Sequence, residues 1–289
     1  MTLNDRPAPG PNAQQIDFWN GEEGEKWAAS NQRLDLMLEP VGRHLLARAA
    51  PRPGESVLDI GCGGGATLLE LARHVGDSGR VTGIDISGPL LAIARERAQR
   101  AAAPVDIVLA DAETHPLPSE QFDLALSRFG VMFFANPAAA FANLRRGLRP
   151  GGRLTFVCWQ PMARNPWMTV PREVVMRYVT PPPRPDPLAP GPFAFADPMR
   201  VRNILADAAF GAFQIEAFDT ALTVGGGTLT GAIMATVRDG PMANLIAPLP
   251  AERQAQLEAD LRDAYQPFVR DDGTIALPAA CWVVTATRA

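Results

Sequence analysis

Apolar residues recur at three- and four-residue steps from Gln15 to about Ala50, through Leu34, Met37, Leu38, Val41, Leu45 and Leu46. That spacing predicts an N-terminal helical segment, and Pro40 inside it predicts a kink or a split. From residue 56 the pattern changes to short apolar runs alternating with helical stretches. SVLDIG (56–61), RVTGIDI (80–86), VDIVLAD (105–111), FDLALSRFG (122–130) and RLTFVCW (153–159) read as strands. ATLLELARHV (66–75), PLLAIARERAQRAA (89–102) and PAAAFANLRRGL (137–148) read as helices, and RPGG (149–152) as a turn. Strands alternating with helices at this spacing specify a parallel sheet covered on both faces. Runs such as VLDI and LTFVCW lack the polar alternation of a strand with one wet face.

After Trp159 the rhythm breaks. Residues 181–192 (PPPRPDPLAPGP) predict an extended surface segment. A helix near 200–209, a strand over 213–224, a turn or hinge at GGG (225–227), helical stretches over 228–238 and 251–268 and a last strand over 281–288 follow. The chain reads as one domain, 1–289. It comprises a helical segment over 1–50 that starts as a loose proline-rich arm (1–15), a core over 51–160, and insertions at 160–202 and 225–275 expected to close over the ligand-binding edge of the sheet.

Composition narrows the chemistry. The 289 residues are 47% hydrophobic and 20% charged, with a net charge of −4, so neither global disorder nor a basic nucleic-acid footprint is expected. The three cysteines (Cys62, Cys158, Cys281) stand far apart and the three histidines (His44, His74, His115) form no i, i+4 pair, which argues against a metal centre and a disulfide framework. No run approaches the roughly 18 apolar residues of a membrane span, and the N-terminus lacks a signal-peptide pattern. A cytoplasmic location is expected, as monomer or homodimer.

Gly61-Cys62-Gly63-Gly64-Gly65 lies between the first strand and the first helix of the core. Small residues there let the backbone turn and let a ligand approach the helix N-terminus, at the carboxyl ends of parallel strands where such sheets bind ligands. Gly61-x-Gly63-x-x-Ala66 with Asp85 also fits a dinucleotide fingerprint, which leaves NAD open. Asp59 argues against it: a carboxylate two residues before the first glycine repels a pyrophosphate but favours an ammonium group. Adenosine joined to an amino acid suits both acids, with Asp85 on the ribose and Asp59 towards the amino acid.

That arrangement resembles the class I S-adenosylmethionine-dependent methyltransferases of the bacterial small-molecule type, including the ubiquinone/menaquinone C-methyltransferase relatives. VLDIGCGGG (57–65), GIDIS (83–87), LADAETHPLP (109–118), FDLALSRFGVMFF (122–134) and LRPGGRLTFVCW (148–159) resemble the family's motifs in order and spacing, and FWNGEEGEKW (18–27) its aromatic N-terminal segment. The resemblance implies a Rossmann-like seven-stranded, mostly parallel sheet of order 3-2-1-4-5-7-6, with helices on both faces and a cap. It implies S-adenosylmethionine as cofactor, leaving S-adenosylhomocysteine. Cofactor contacts would come from Asp59, Gly61, Cys62, Gly63, Asp85, Ile86, Asp111, Ala112, Ser127 and Arg128, with Asp111 and Ala112 at the adenine edge and Ser127 and Arg128 beside the methionine moiety. Cys62 is expected to serve by its small size.

The reaction implied is in-line methyl transfer to a small apolar or aromatic acceptor, without metal or nucleic acid. Phe129, Met132, Trp19 and Trp159 are expected at the acceptor pocket, whereas Phe133 is expected to pack the helix that follows; Trp27 and Trp167 are expected in the core. His115 is the first candidate for a general base, if the acceptor needs one, with a solvated loop histidine as the alternative; His74 is expected to be structural, and His44, Tyr178 and Tyr265 are weaker choices. An NAD(P)-dependent oxidoreductase and a non-catalytic adenosyl-binding module are the competing readings.

Overall fold

A computed structural model describes residues 10–183 and 186–289. Three helices come first, α1 (Ala13–Asn20), α2 (Glu22–Ala29) and α3 (Asn31–Ala49). The core follows as β1 (Ser56–Ile60), α4 (Ala66–Val75), β2 (Arg80–Asp85), α5 (Gly88–Arg100), β3 (Val105–Leu109), β4 (Phe122–Arg128), α6 (Pro137–Gly147) and β5 (Leu148–Trp159). Then come α7 (Pro166–Val175), α8 (Pro198–Asp207), β6 (Phe213–Thr223), α9 (Leu229–Met234), α10 (Ala243–Ile246), α11 (Ala251–Tyr265) and β7 (Ala276–Thr287).

The strands form one sheet of order β3-β2-β1-β4-β5-β7-β6. The first five are parallel, and β7 runs antiparallel between β5 and β6. The apolar runs explain the centre: Val57, Leu58, Ile60, Leu124, Ala125 and Leu126 are buried on both faces. Helix starts follow local capping rules. Asn136 accepts from the Ala139 amide ahead of α6 and Asp197 from that of Met199 ahead of α8, each with proline in the next position.

Several sequence expectations change, among them the turn at 149–152, which forms the first part of β5. Gly10 to Asn12 and α1 belong to the folded protein, so of the arm expected over 1–15 only residues 1–9 lie outside the described residues; Arg184 and Pro185 of the proline segment lie outside them too. Pro40 does not split the N-terminal helix. The breaks fall at Gly21 and Ser30, while α3 runs through Pro40, whose missing N–H deprives only the carbonyl of the exposed Leu36, which water can serve. α9 widens into a π-helical turn over 235–239, and α10 follows as an additional short helix. Finally, β7 begins at Ala276 rather than 281. Pro278 lies within it, beyond the end of β5, which reaches only to Trp159, opposite Cys281. Opposite Pro278, β7 has β6 alone as a neighbour, and a proline whose ring nitrogen faces the open side removes no ladder bond.

Two large apolar cores result among the described residues. The larger runs along the sheet under α3, α4, α6 and α8. The smaller gathers Val174 and Val175 of α7, Ile233 of α9, Leu257, Leu261 and Tyr265 of α11 and Leu277 of β7. Met37 and Trp167 pack against both.

Candidate active site at the carboxyl ends of the strands

The glycine loop leaves β1 with three left-handed residues, Gly61 (φ +65°), Gly63 (+51°) and Gly65 (+82°). A Cβ on Gly61 would stand 2.7 Å from the Cα of Gly130, so the loop and the end of β4 touch backbone to backbone. The amides of Gly61 and Cys62 donate to the Ile84 carbonyl at 2.8 and 3.2 Å, and the Gly63 amide donates to Asp85 Oδ2 at 2.8 Å. Asp85 Oδ1 accepts from the Ser87 amide at 2.8 Å. One carboxylate thus fixes the loop and the turn after β2 together. Cys62 points into the packing between loop and sheet, against Gly83, Leu91 and Ala94, and burial pushes its thiol well above the ordinary range.

Asp59 is fully buried at the end of β1. Its Oδ2 accepts from Thr67 Oγ1 at 2.6 Å, while Oδ1 has no hydrogen-bond partner among the described residues. Burial raises its pKa to about 6, against the opposing pull of Thr67 and of the nearby Arg128 guanidinium. Asp111, after β3, repeats the pattern: Oδ1 accepts from the Glu113 amide at 3.0 Å and Oδ2 is buried without a partner. Burial raises this carboxyl too, and the Asn12 side chain beside it favours the charged form. Ala112 is buried next to it, its carbonyl held by Asn143 Nδ2 at 2.9 Å.

Two residues expected beside the methionine moiety have protein partners. Ser127 is fully buried; its hydroxyl donates to the Ile60 carbonyl at 2.8 Å and accepts from the Gly130 amide at 3.1 Å. Arg128 pairs with Asp35 of α3 at 2.9 Å. Ile86 is tied down through its carbonyl, which accepts from Asn20 Nδ2 at 2.8 Å.

On the acceptor side, Phe129 stacks on Trp159 with centroids 4.1 Å apart, and Trp159 meets Trp167 at 5.0 Å. Met132 is buried at the turn after β4. Trp19 forms edge contacts with Phe18, Trp27 and Phe133. Phe133 therefore meets the N-terminal helices, and it is Phe134 that packs the following helix, edge to face with Phe141 of α6. Trp27 is well exposed rather than in the core. The backbone of His115 is held by the Asp111 carbonyl and Asn143. His74 bonds the Glu70 carbonyl within α4, and His44 stacks on Phe218 of β6, remote from the glycine loop. Tyr178 donates to Asp260, and Tyr265 shares a buried hydrogen bond with Thr236.

The N-terminal helices supply residues that the motif pattern did not reveal. Asn20 bridges the Ile16 and Ile86 carbonyls and the Gly88 amide. Asn31 lies so close over Gly64 that a Cβ there would come within 2.3 Å of its Oδ1, itself buried without a partner. In the core, Glu113 accepts from the Ala135 and Asn136 amides, anchoring the start of α6 to the turn after β3. Amide and carboxylate side chains carry no helix or strand periodicity, so only the tertiary fold brings them together.

The donor set fits S-adenosylmethionine. Buried oxygens without hydrogen-bond partners among the described residues, on Asp59 at the end of β1 and Asp111 after β3, suit a ligand with a cationic amino acid at one end and an adenine amino group at the other. The antiparallel β7 departs from the dinucleotide fold, whose six strands run in the order 3-2-1-4-5-6. Fold and loop together are similar to those of the class I S-adenosylmethionine-dependent methyltransferases.

Comparison with known proteins agrees. Residues 58–156 match the family described as a methyltransferase domain. Aklanonic acid methyltransferase DauC of Streptomyces sp. (strain C5) is 40% identical over 118 residues, covering 40% of this chain and 54% of that protein. The ubiquinone/menaquinone biosynthesis C-methyltransferase UbiE of Cupriavidus taiwanensis is 33% identical over 123 residues, covering 41% of this chain and 51% of its own length. The matched region thus spans about half the length of these curated relatives. The YcgJ protein of Bacillus subtilis shares the fold, with a TM-score of 0.56, 17% identity and coverage of 86% of this chain and 98% of that one. No helix among the described residues is long and apolar enough to cross a membrane.

Proposed function

We propose that the protein transfers the methyl group of S-adenosylmethionine to a small apolar or aromatic acceptor. The observation that carries this reading is Asp59 Oδ1, a buried carboxylate oxygen with no hydrogen-bond partner among the described residues, on the strand that leads into a loop gripped by Asp85. Asp59 would hold the ammonium of the methionine moiety, Asp85 the ribose hydroxyls, and Asp111 with the Ala112 backbone the adenine edge. Gly61 and Gly63 keep the loop bare enough for that approach. Cys62 and Ser127 serve by packing and by fixing the backbone, and Arg128 faces the amino-acid end.

The bound cofactor supplies a methyl group already activated by a positive sulfur. The chain's part is to align donor and acceptor and to exclude water, effects that reach roughly 7–11 kcal/mol in well-oriented systems. Phe129, Trp159 and Trp19 present aromatic faces on the acceptor side, suited to a flat apolar molecule and to screening a cation. The segments 160–202 and 225–275 cap this side, with Trp167 and Met37 at the seam between the two cores. The name of DauC, which acts on aklanonic acid, and that of UbiE, in quinone biosynthesis, support a small-molecule acceptor.

Calorimetric titration with S-adenosylhomocysteine and, separately, NADH tests the reading. Binding of the first and none of the second is expected. Binding of NADH with no heat from S-adenosylhomocysteine would overturn it, and methylation of tRNA but of no small molecule would overturn the acceptor class.

A further inference from the structure

Asp35 lies on α3, outside every segment that resembles a methyltransferase motif, yet it joins Arg97 of α5 to Arg128 at the end of β4. Its Oδ2 accepts from Arg97 Nη1 at 2.6 Å and its Oδ1 from Arg128 Nη2 at 2.9 Å. The same Arg97 Nη1 donates to the Gly64 carbonyl at 2.9 Å, so one guanidinium ties the glycine loop to α3. Arg128 ends β4, close enough to Asp59 to pull on its charge, and its side chain lies 3.6 Å from where a Cβ on Gly42 would stand. The three charged side chains are 15–24% exposed, far less than the surface ion pairs of α4 and α5. Pairs held this far from water keep more of their directional strength than exposed ones.

We propose that Asp35 is a positioning residue for the amino-acid half of the cofactor: it holds Arg128 in place to meet the methionine carboxylate and, through Arg97, holds the Gly64 carbonyl out of that space. Arg128 cannot do this alone, since its long side chain has many rotamers and Asp59 stands nearby as a competing carboxylate. The inference rests on the S-adenosylmethionine reading above. It adds that the N-terminal helices complete the cofactor site chemically, through one carboxylate between two guanidinium groups.

The test compares two probes that share the adenosine but not the amino acid. S-adenosylhomocysteine carries the ammonium and carboxylate; 5′-methylthioadenosine ends at a methyl thioether. Calorimetry on the full-length Asp35→Asn protein is expected to show at least tenfold weaker S-adenosylhomocysteine binding, with 5′-methylthioadenosine unchanged. Asp35→Glu is expected to recover most of the loss, and Asp35→Asn added to Arg128→Gln is expected to cost nothing further. Equal weakening of both probes would mean a merely structural role and would overturn the proposal, as would no weakening of either. If Asp35→Asn does not fold, Arg128→Lys carries the same comparison with the same two outcomes. Failure of the wild-type protein to bind either probe would instead sink the cofactor reading itself.

Discussion

Phe129 lies flat against Trp159, interplanar angle 13°, while its own backbone sits at φ +65°. Left-handed backbone on a bulky residue costs about 1–3 kcal/mol and persists only where surrounding packing holds it. The stack on Trp159 provides that packing. Removing the ring in Phe129→Ala is expected to cost roughly 3–5 kcal/mol. Phe129→Gly removes the same ring but relieves the strain, so it should be more stable than the alanine variant by about 1 kcal/mol, reversing the usual order. Urea unfolding of the two variants decides it; an alanine protein more stable than the glycine one would show that the strain is not there.

Gly61 and Gly151 share a left-handed backbone but differ in surroundings. A methyl group on Gly61 runs into the backbone of Gly130, which has no rotamer to move, whereas one on Gly151 meets nothing within 4 Å. Gly151→Ala is therefore expected to cost only the backbone term, about 1–2 kcal/mol, and to leave S-adenosylhomocysteine affinity unchanged. Gly61→Ala should cost more and weaken binding by about tenfold or more, because the loop must shift off its carbonyl partner at Ile84. Calorimetry with both variants checks this, and equal affinities would contradict the close approach.

The core was legible because its signals are local. Buried parallel strands carry unbroken apolar runs, glycines mark the loop, and each strand–helix unit announces its own ends. What stayed hidden was tertiary. Asn20, Asp35 and Glu113 act on backbone groups or charges tens of residues away, and Asn31 lies over Gly64, contacts that no local periodicity announces.

Tyr265 illustrates how burial removes a candidate base. Its hydroxyl shares a 2.8 Å hydrogen bond with Thr236 inside the smaller core, and burial pushes it up to about 12. A general base works best with a pKa near the working pH, so this phenol is out of range. Tyr265→Phe is expected to leave kcat and its pH profile unchanged while costing roughly 0.5–1.5 kcal/mol of stability for the lost hydrogen bond. A large fall in kcat with unaltered stability would reinstate the residue in the chemistry.

Asp59 ties stability and cofactor binding to pH with opposite signs. Its folded pKa of about 6 lies above the 3.8 of a free aspartate, so the folded protein holds this proton more tightly than the unfolded chain. The stability it contributes is complete below about 3.8 and is lost as pH rises through about 6, a difference of about 3 kcal/mol. Asp85, Asp111 and Glu113 are raised too and act in the same direction, whereas Glu55, lowered by Arg153, acts in the other. The contribution of Asp59 is isolated by urea midpoints of wild type and Asp59→Asn: wild type should gain on the variant as pH falls from 7 to 4. Binding should run the other way. An ammonium group beside Asp59 needs the carboxylate ionised, so S-adenosylhomocysteine affinity should fall by up to about tenfold for each pH unit below 6. In Asp59→Asn that slope should flatten; a slope unchanged by the substitution would place the titrating group elsewhere and remove Asp59 from the cofactor's amino-acid end.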